Sequence, residues 1–253
     1  MSIRIQDKEG VRTIAFARPE KKNAITGEMY LKIVDAMSHA AENPEIKVIL
    51  FASTNENFTA GNDVGDFAAN PPSGPDAPVI QLLKHLCEFK KPLVAAVPGL
   101  AIGIGTTLLL HCDLVYASDT AKFKMPFVDL GLVPEAGSSQ LLVQLMGHQR
   151  AAELLLLGEA FDANRALTLG VVNQVVAQTE LLSLARAKAA QLAAKPTNAL
   201  IASKALMKRP PEPLWERVQR ELVVFSEALN SPEAKAAFAR FLNKSRESDT
   251  ANK

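Results

Sequence analysis

Three short apolar runs constrain this chain most: residues 47–52 (KVILFA), 92–97 (PLVAAV) and 113–117 (DLVYA). None alternates with polar residues, so each reads as a strand buried on both faces, inside a sheet with helices above and below. Between the runs the pattern changes to the helical period. Thr26 is a candidate cap for a helix that aligns Tyr30, Ile33, Val34, Met37 and Ala41 on one face. Further helices are expected over 79–89, from the 103–105 turn to Cys112, and over 136–147. Such alternation predicts an α/β core with largely parallel strands. An N-terminal hairpin precedes it: Ile3 and Ile5 alternate, Glu9-Gly10 turns the chain, and residues 11–16 return.

From about residue 178 the pattern is helical only. Pro196, Pro210, Pro211, Pro213 and Pro232 mark helix starts, and Leu214, Val218, Leu222 and Phe225 give the tail an apolar face for the core or another subunit. The expected division is a core over 1–195 and a helical region over 196–253. A Pro/Gly/Ser-rich stretch at 70–78 reads as a mobile segment or a lid.

Composition excludes several classes of function. A net charge of +1 gives no reason to expect nucleic acid or an anionic membrane as partner. No apolar run approaches the roughly 18 residues of a membrane helix. Residues 1–6 lack the apolar centre of a signal peptide and the C-terminal Ala-Asn-Lys is no peroxisomal address, so the cytoplasm is the expected compartment. Cys87 and Cys112 fit a reducing environment, and the histidines at 39, 85, 111 and 148 have no metal-ligand spacing. Gly103-Ile104-Gly105 follows a strand and precedes a helix, but the third glycine and the later acidic residue of a dinucleotide fingerprint are missing. A tight turn, or a backbone brought close to a ligand, fits it better. There is no G-x-S-x-G, and Ser138-Ser139 have no recognisable histidine partner.

Three segments carry a resemblance that covers most of the chain: 18–24 (RPEKKNA), 58–64 (FTAGNDV) and 91–105 (KPLVAAVPGLAIGIG) running on to 112–117 (CDLVYA). In this order and spacing, with 130–137 (LGLVPEAG) after them, they resemble the crotonase (enoyl-CoA hydratase/isomerase) family. The local run 125–139 and Ala60-Gly61-Asn62-Asp63 are most similar to its Δ3,Δ2-enoyl-CoA isomerases of the peroxisomal type. The resemblance implies a spiral of repeated ββα units, a C-terminal helical trimerisation region, an acyl-CoA thioester as substrate, and homotrimers or dimers of trimers. No cofactor is implied beyond the coenzyme A carried by the substrate.

It also implies roles. Backbone N–H groups of Asn62 and Ile104 would hold the thioester oxygen as an enolate forms, each worth about 3 kcal/mol of barrier. Family hydratases grip a water between two glutamates; the matching positions here are Thr107 and Phe127, so a hydratase of the usual kind is disfavoured. Glu135 matches the single catalytic glutamate of the isomerases; read by position alone, it is a carboxylate that opens the next helix. Asp129 is the reserve candidate. Arg18, Lys21 and Lys22 are phosphate-binding candidates or solvated loop residues. Ala24, Ala60, Gly61, Asp63, Val64, Gly103 and Phe127 line the expected substrate site, and Phe241 and Lys244 would reach the coenzyme A of a neighbouring subunit. The helix at 79–89 and the loop before it would border the acyl group. Two other readings stay open: a different crotonase-type reaction on a CoA thioester, either enoyl-CoA hydration with a rearranged acid or isomerisation of a ring-derived acyl group, and a non-catalytic acyl-CoA-binding scaffold.

Overall fold

The structure, a computed structural model, describes residues 2–238. It divides into two compact units, Met1–Ala193 and Ala194–Lys253.

The first unit begins with the hairpin β1 (Ile3–Lys8) and β2 (Val11–Phe16), closed at Glu9 and Gly10, both at positive φ. Helix α1 (Gly27–Glu42) starts at Thr26, whose side chain accepts from the Met29 N–H. Strand β3 (Val48–Ser53) follows, then α2 (Val64–Ala69), capped by Asp63, and α3 (Pro78–Glu88), with Pro in its first turn. Strands β4 (Leu93–Val97) and β5 (Leu100–Ile102) lead into α4 (Ile104–Thr107), which continues as a 3-10 turn to His111. Then come β6 (Leu114–Ser118), β7 (Lys122–Lys124), α5 (Ser138–Met146), α6 (His148–Ala152), β8 (Phe161–Asp162), α7 (Ala163–Thr168), β9 (Gln174–Val176) and α8 (Gln178–Ala193).

These strands form a six-stranded sheet, β1-β2-β3-β4-β6-β9, and a three-stranded one, β5-β7-β8. In the larger sheet only β1 is antiparallel to its neighbour. The three apolar runs are its β3, β4 and β6. Their residues alternate between two cores, as a period of two requires. Ile49, Phe51, Leu93, Ala95, Val97 and Val115 face the core shared with α1 and α3. Val48, Leu50, Val94, Ala96 and Tyr116 face α8, whose Ala185, Ala189 and Ala193 recur every fourth residue and allow a close helix–sheet approach. The hairpin alternation is looser than expected, since Ile3 is buried but Ile5 is 48% exposed.

The short elements β5, β7, β8, α2, α6 and α7 were not foreseen in the sequence. They span two to six residues, and their ends are set by tertiary contacts rather than by periodicity. The second unit contains α9 (Thr197–Met207) and α10 (Leu214–Leu229). Arg217 ties them together: its guanidinium donates to the Leu206 carbonyl at 3.2 Å and pairs with Glu212 at 2.5 Å. Among the described residues no helix is long and apolar enough to cross a membrane.

Candidate active site

Residues 59–63 are threaded between two other chain segments. On one side Ile25 N–H donates to the Gly61 carbonyl and Asp63 N–H to the Ile25 carbonyl, each at 2.8 Å. On the other, Thr59 N–H donates to the Leu100 carbonyl at 2.9 Å and Ile102 N–H to the Thr59 carbonyl at 3.0 Å. Asn23 fastens the bundle from inside. Its buried amide donates to the Asn57 carbonyl at 2.7 Å and the Phe58 carbonyl at 3.0 Å, and its oxygen accepts from Arg18 N–H at 2.8 Å. Arg18 then reaches Asp63 at 2.7 Å and the Ala24 carbonyl at 2.9 Å, locking the first motif onto the second. Asp63 is held below the usual carboxylate range, chiefly by Arg18 and then by the Asp66 N–H.

Two glycines make this close approach feasible. A Cβ on Gly61, which sits at φ 87°, would lie 2.7 Å from the Ile102 carbonyl oxygen, and one on Gly105 would lie 2.5 Å from Thr59 Cγ2. Gly103, at φ 55° and ψ −119°, turns the chain into α4 in a conformation that favours glycine. Thr106 and Thr107 N–H groups return to the Gly103 carbonyl, while the N–H of Ile104, first in the helix, makes no hydrogen bond among the described residues. Neither does the N–H of Asn62, which falls between the two bonds to Ile25. Two unengaged backbone donors thus sit on adjacent, tightly braced segments.

Glu135 stands close by on a clamped turn. Ala136 (φ 54°) and Gly137 (φ 68°) are both left-handed, a costly conformation for alanine. Ser138 holds the turn by donating Oγ to the Glu135 carbonyl at 2.7 Å, and His111 Nε2 donates to the Ala136 carbonyl at 2.8 Å, which fixes its protonated nitrogen. The Glu135 side chain is half-buried, and burial pushes its pKa up; the hydrogen bond from Thr107 Oγ1 to its Oε1 opposes that rise. Tyr30 is nearly fully buried, and its phenol is pushed up first by burial and then by the Glu135 charge. The Tyr30 hydroxyl donates to Asn62 Oδ1 at 2.5 Å, so carboxylate, phenol and Asn62 share one polar cluster. A cavity of about 40 Å³ opens beside it, lined by Asn62, Tyr30, Phe67, Pro72, Pro78 and Val79. A larger hollow of about 350 Å³, lined by Leu109, Asp113, Leu141 and Asn173 among others, contains none of Asn62, Ile104, Thr107 and Glu135. The other nearby carboxylates are committed: Asp63 to Arg18, Asp66 to the Gly27 N–H at 2.7 Å, and Asp129 to Lys124 at 3.2 Å.

The family model for enoyl-CoA hydratase/isomerase matches residues 6–249. The chain belongs to the enoyl-CoA hydratase/isomerase family. Its fold is that family's crotonase-type α/β core: a solved structure from Magnetospirillum magneticum AMB-1, described as a candidate enoyl-CoA hydratase/carnithine racemase, superposes with a TM-score of 0.93 at 42% identity over 96% of both chains. An enoyl-CoA hydratase from Polaromonas sp. JS666 superposes at 0.86 with 31% identity, over 96% of this chain and 97% of that one. Human enoyl-CoA delta isomerase 2 is 34% identical over 95% of this chain and 63% of its own length. The chain therefore spans about three fifths of that relative.

Within this hydratase/isomerase fold the structure brings Asn62, Ile104, Gly61, Gly103 and Glu135 into one neighbourhood. Ala24 and Ala60 are partly exposed beside them, Phe127 is buried, and Val64 is 74% exposed on the first turn of α2. The Arg18 guanidinium bonds Asp63 and the Ala24 carbonyl, so it braces two segments of the site. Lys21 and Lys22 are exposed and make no ion pair among the described residues. Phe241 and Lys244 lie outside the described residues. Sequence reasoning missed the polar roles of Asn23, Tyr30 and Thr107. Tyr30 sits on a face that reads as apolar, and the one available signal was that a buried phenol needs a partner for its hydroxyl.

Proposed function

We propose that this protein is a Δ3,Δ2-enoyl-CoA isomerase. The observation that carries the reading is that Glu135 is, among the described residues, the one carboxylate of this site not tied to a cation or a backbone N–H. Glu135 is half-buried, raised in pKa, and accepts a hydrogen bond from Thr107, the position where a hydratase of the family keeps a glutamate. Hydration needs two groups to hold and split a water; moving a double bond needs one base that becomes an acid.

In this reading a 3-enoyl-CoA lays its thioester oxygen against the N–H groups of Asn62 and Ile104. Glu135 takes a proton from C2, and the C–H electron pair spreads over the dienolate onto the thioester oxygen. Two braced donors stabilise that charge without reorganising, each worth about 3 kcal/mol. The electrons then return, C4 takes the proton from Glu135, and the double bond lies between C2 and C3. Proton and electrons balance within enzyme and substrate. The raised pKa of Glu135 brings base and acid forms closer in energy at neutral pH. The same reading gives Lys21 and Lys22 to the coenzyme A phosphates, requires no further cofactor, and includes cytoplasmic homotrimers or dimers of trimers.

The test supplies a 3-enoyl-CoA and a 2-enoyl-CoA separately to the protein and to Glu135→Gln, following conjugation by absorbance and water addition by mass. The expected result is a 2-enoyl product of unchanged mass, with turnover reduced about 10²–10⁴-fold in the variant. Water addition to the 2-enoyl substrate, or full activity in Glu135→Gln, would overturn the reading.

A further inference from the structure

We propose that Thr107 is a positioning residue that assigns the two oxygens of the Glu135 carboxylate different tasks, Oε1 held by the Thr107 hydroxyl and Oε2 left to carry the migrating proton. The inference rests on the isomerase reading of Glu135 and deepens it. The geometry behind it is a short chain of contacts. Thr107 is fully buried on α4, three residues after Ile104, so the element that presents one backbone donor also presents the hydroxyl. Its Oγ1 donates to Glu135 Oε1, while its alternative acceptor, the Gly103 carbonyl, is distant at 3.4 Å. Glu135 Oε2 makes no hydrogen bond among the described residues.

A hydroxyl is suited to this task because it gives one hydrogen to the carboxylate in either protonation state. With Glu135 ionised, Thr107 steadies the charge on Oε1. With Glu135 protonated, the same hydroxyl donates to Oε1 as the carbonyl oxygen, so the acid proton resides on Oε2. The oxygen that removes the proton from C2 is then the oxygen that delivers it to C4, with no rotation of the carboxyl group between the steps. Thr107 thus keeps the position that a second glutamate takes in hydratases and uses it to order the remaining one.

The ionisable groups around Glu135 are few. Tyr30 on α1 has its phenol pushed up partly by the Glu135 charge, His111 bonds the adjacent Ala136 carbonyl, and Asp129, on the same segment, is paired with Lys124. The donor effect on Glu135 is therefore separable. Thr107 opposes the rise that burial causes, so removing its hydroxyl moves the carboxyl further up.

The experiment compares Thr107→Val, which keeps shape and loses the donor, with Thr107→Ser, which keeps the donor. Two readouts are taken: the acidic limb of kcat/KM against pH with a 3-enoyl-CoA, and the titration of Glu135 by ¹³C-carboxyl NMR, assigned with Glu135→Gln. In Thr107→Val both midpoints should move up by about one to two pH units, the size of a lost hydrogen bond to a charged group. Its kcat should fall about ten- to hundredfold, with KM little changed. Thr107→Ser should restore both. Should Thr107→Val fail to fold, Thr107→Ala against Thr107→Ser makes the same comparison. A Thr107→Val protein with the wild-type limb, titration and kcat overturns the proposal, as does a Thr107→Ser protein that behaves like the valine variant. If the wild type turns over no 3-enoyl-CoA, the isomerase reading fails, and the NMR titration still decides whether Thr107 governs Glu135.

Discussion

Glu135 is kept where its charge is disfavoured, and that has a measurable consequence for stability. Its pKa is higher in the folded protein than in the unfolded chain, so between those two values the fold binds more protons. Stability is then full at low pH and declines as pH rises through the unfolded value, near about 4.3, toward the folded one. Glu135→Gln removes this ionisation, and it should melt higher than wild type at pH 8, with the difference closing at about pH 4. Calorimetric melts of both proteins across that range check it. Arg18 and Asp63 behave in the opposite sense. Asp63 is depressed, so its stabilisation is present above the unfolded carboxylate pKa and lost as pH falls through the folded one. Both side chains keep about a fifth of their surface in water, which moderates the pair. Arg18→Met should therefore cost about 1–2 kcal/mol at pH 7 and less at pH 3, read from urea melts.

At the scale of elements, the site depends on α4 lying hard against the segment that carries Asn62. Gly105 permits that contact, since a methyl group there meets Thr59 Cγ2 at 2.5 Å and the Thr59 carbonyl oxygen at 3.1 Å. Gly105→Ala should cost about 1–3 kcal/mol through overpacking and, by separating the N–H groups of Asn62 and Ile104, lower kcat more than it raises KM. Urea melts and steady-state kinetics on one preparation test both parts. This dependence also explains what could be read from the amino-acid order. Strands β3, β4 and β6 and helices α3 and α5 carry patterns whose expected and observed bounds agree within about two residues, and the starts of α1 and α8 agree as closely. The glycines at 103 and 105 were legible as a tight turn or a close backbone approach, and Gly61 only through the motif that carries the family resemblance. The hydrogen bonds of Thr107 and Tyr30 were not, because they join residues 28 and 32 positions apart, and a threonine or tyrosine on a buried helix face has no local signal for its partner. The pairing of Arg18 with Asp63 was hidden for a related reason: the partners are 45 positions apart, and a basic residue in a loop motif has no local signal for its partner.

At the scale of the whole molecule, the apolar surface of α10 bears on how chains associate. Leu214, Trp215, Leu222, Val223 and Phe225 are each between 56% and 79% exposed, on a helix whose two basic residues, Arg217 and Arg220, are drawn to Glu212. Apolar patches of this kind mark association surfaces, and a net charge of +1 supplies little repulsion between copies. The proposed trimer gives this face a second copy of the chain as its partner. Leu222→Arg and Phe225→Arg would each place a charge where two copies meet in the proposed assembly, and light scattering should then find monomers in the variants and trimers or hexamers in the wild type. Kinetics of those monomers separate two uses of the assembly. If the tail around Phe241 and Lys244 serves the coenzyme A of a neighbour, the monomers should show a KM raised about tenfold or more, corresponding to roughly 1.4 kcal/mol of lost binding, while the acidic limb set by Glu135 stays in place. Monomers with the wild-type KM would confine the α10 face to assembly and remove the tail from the substrate site.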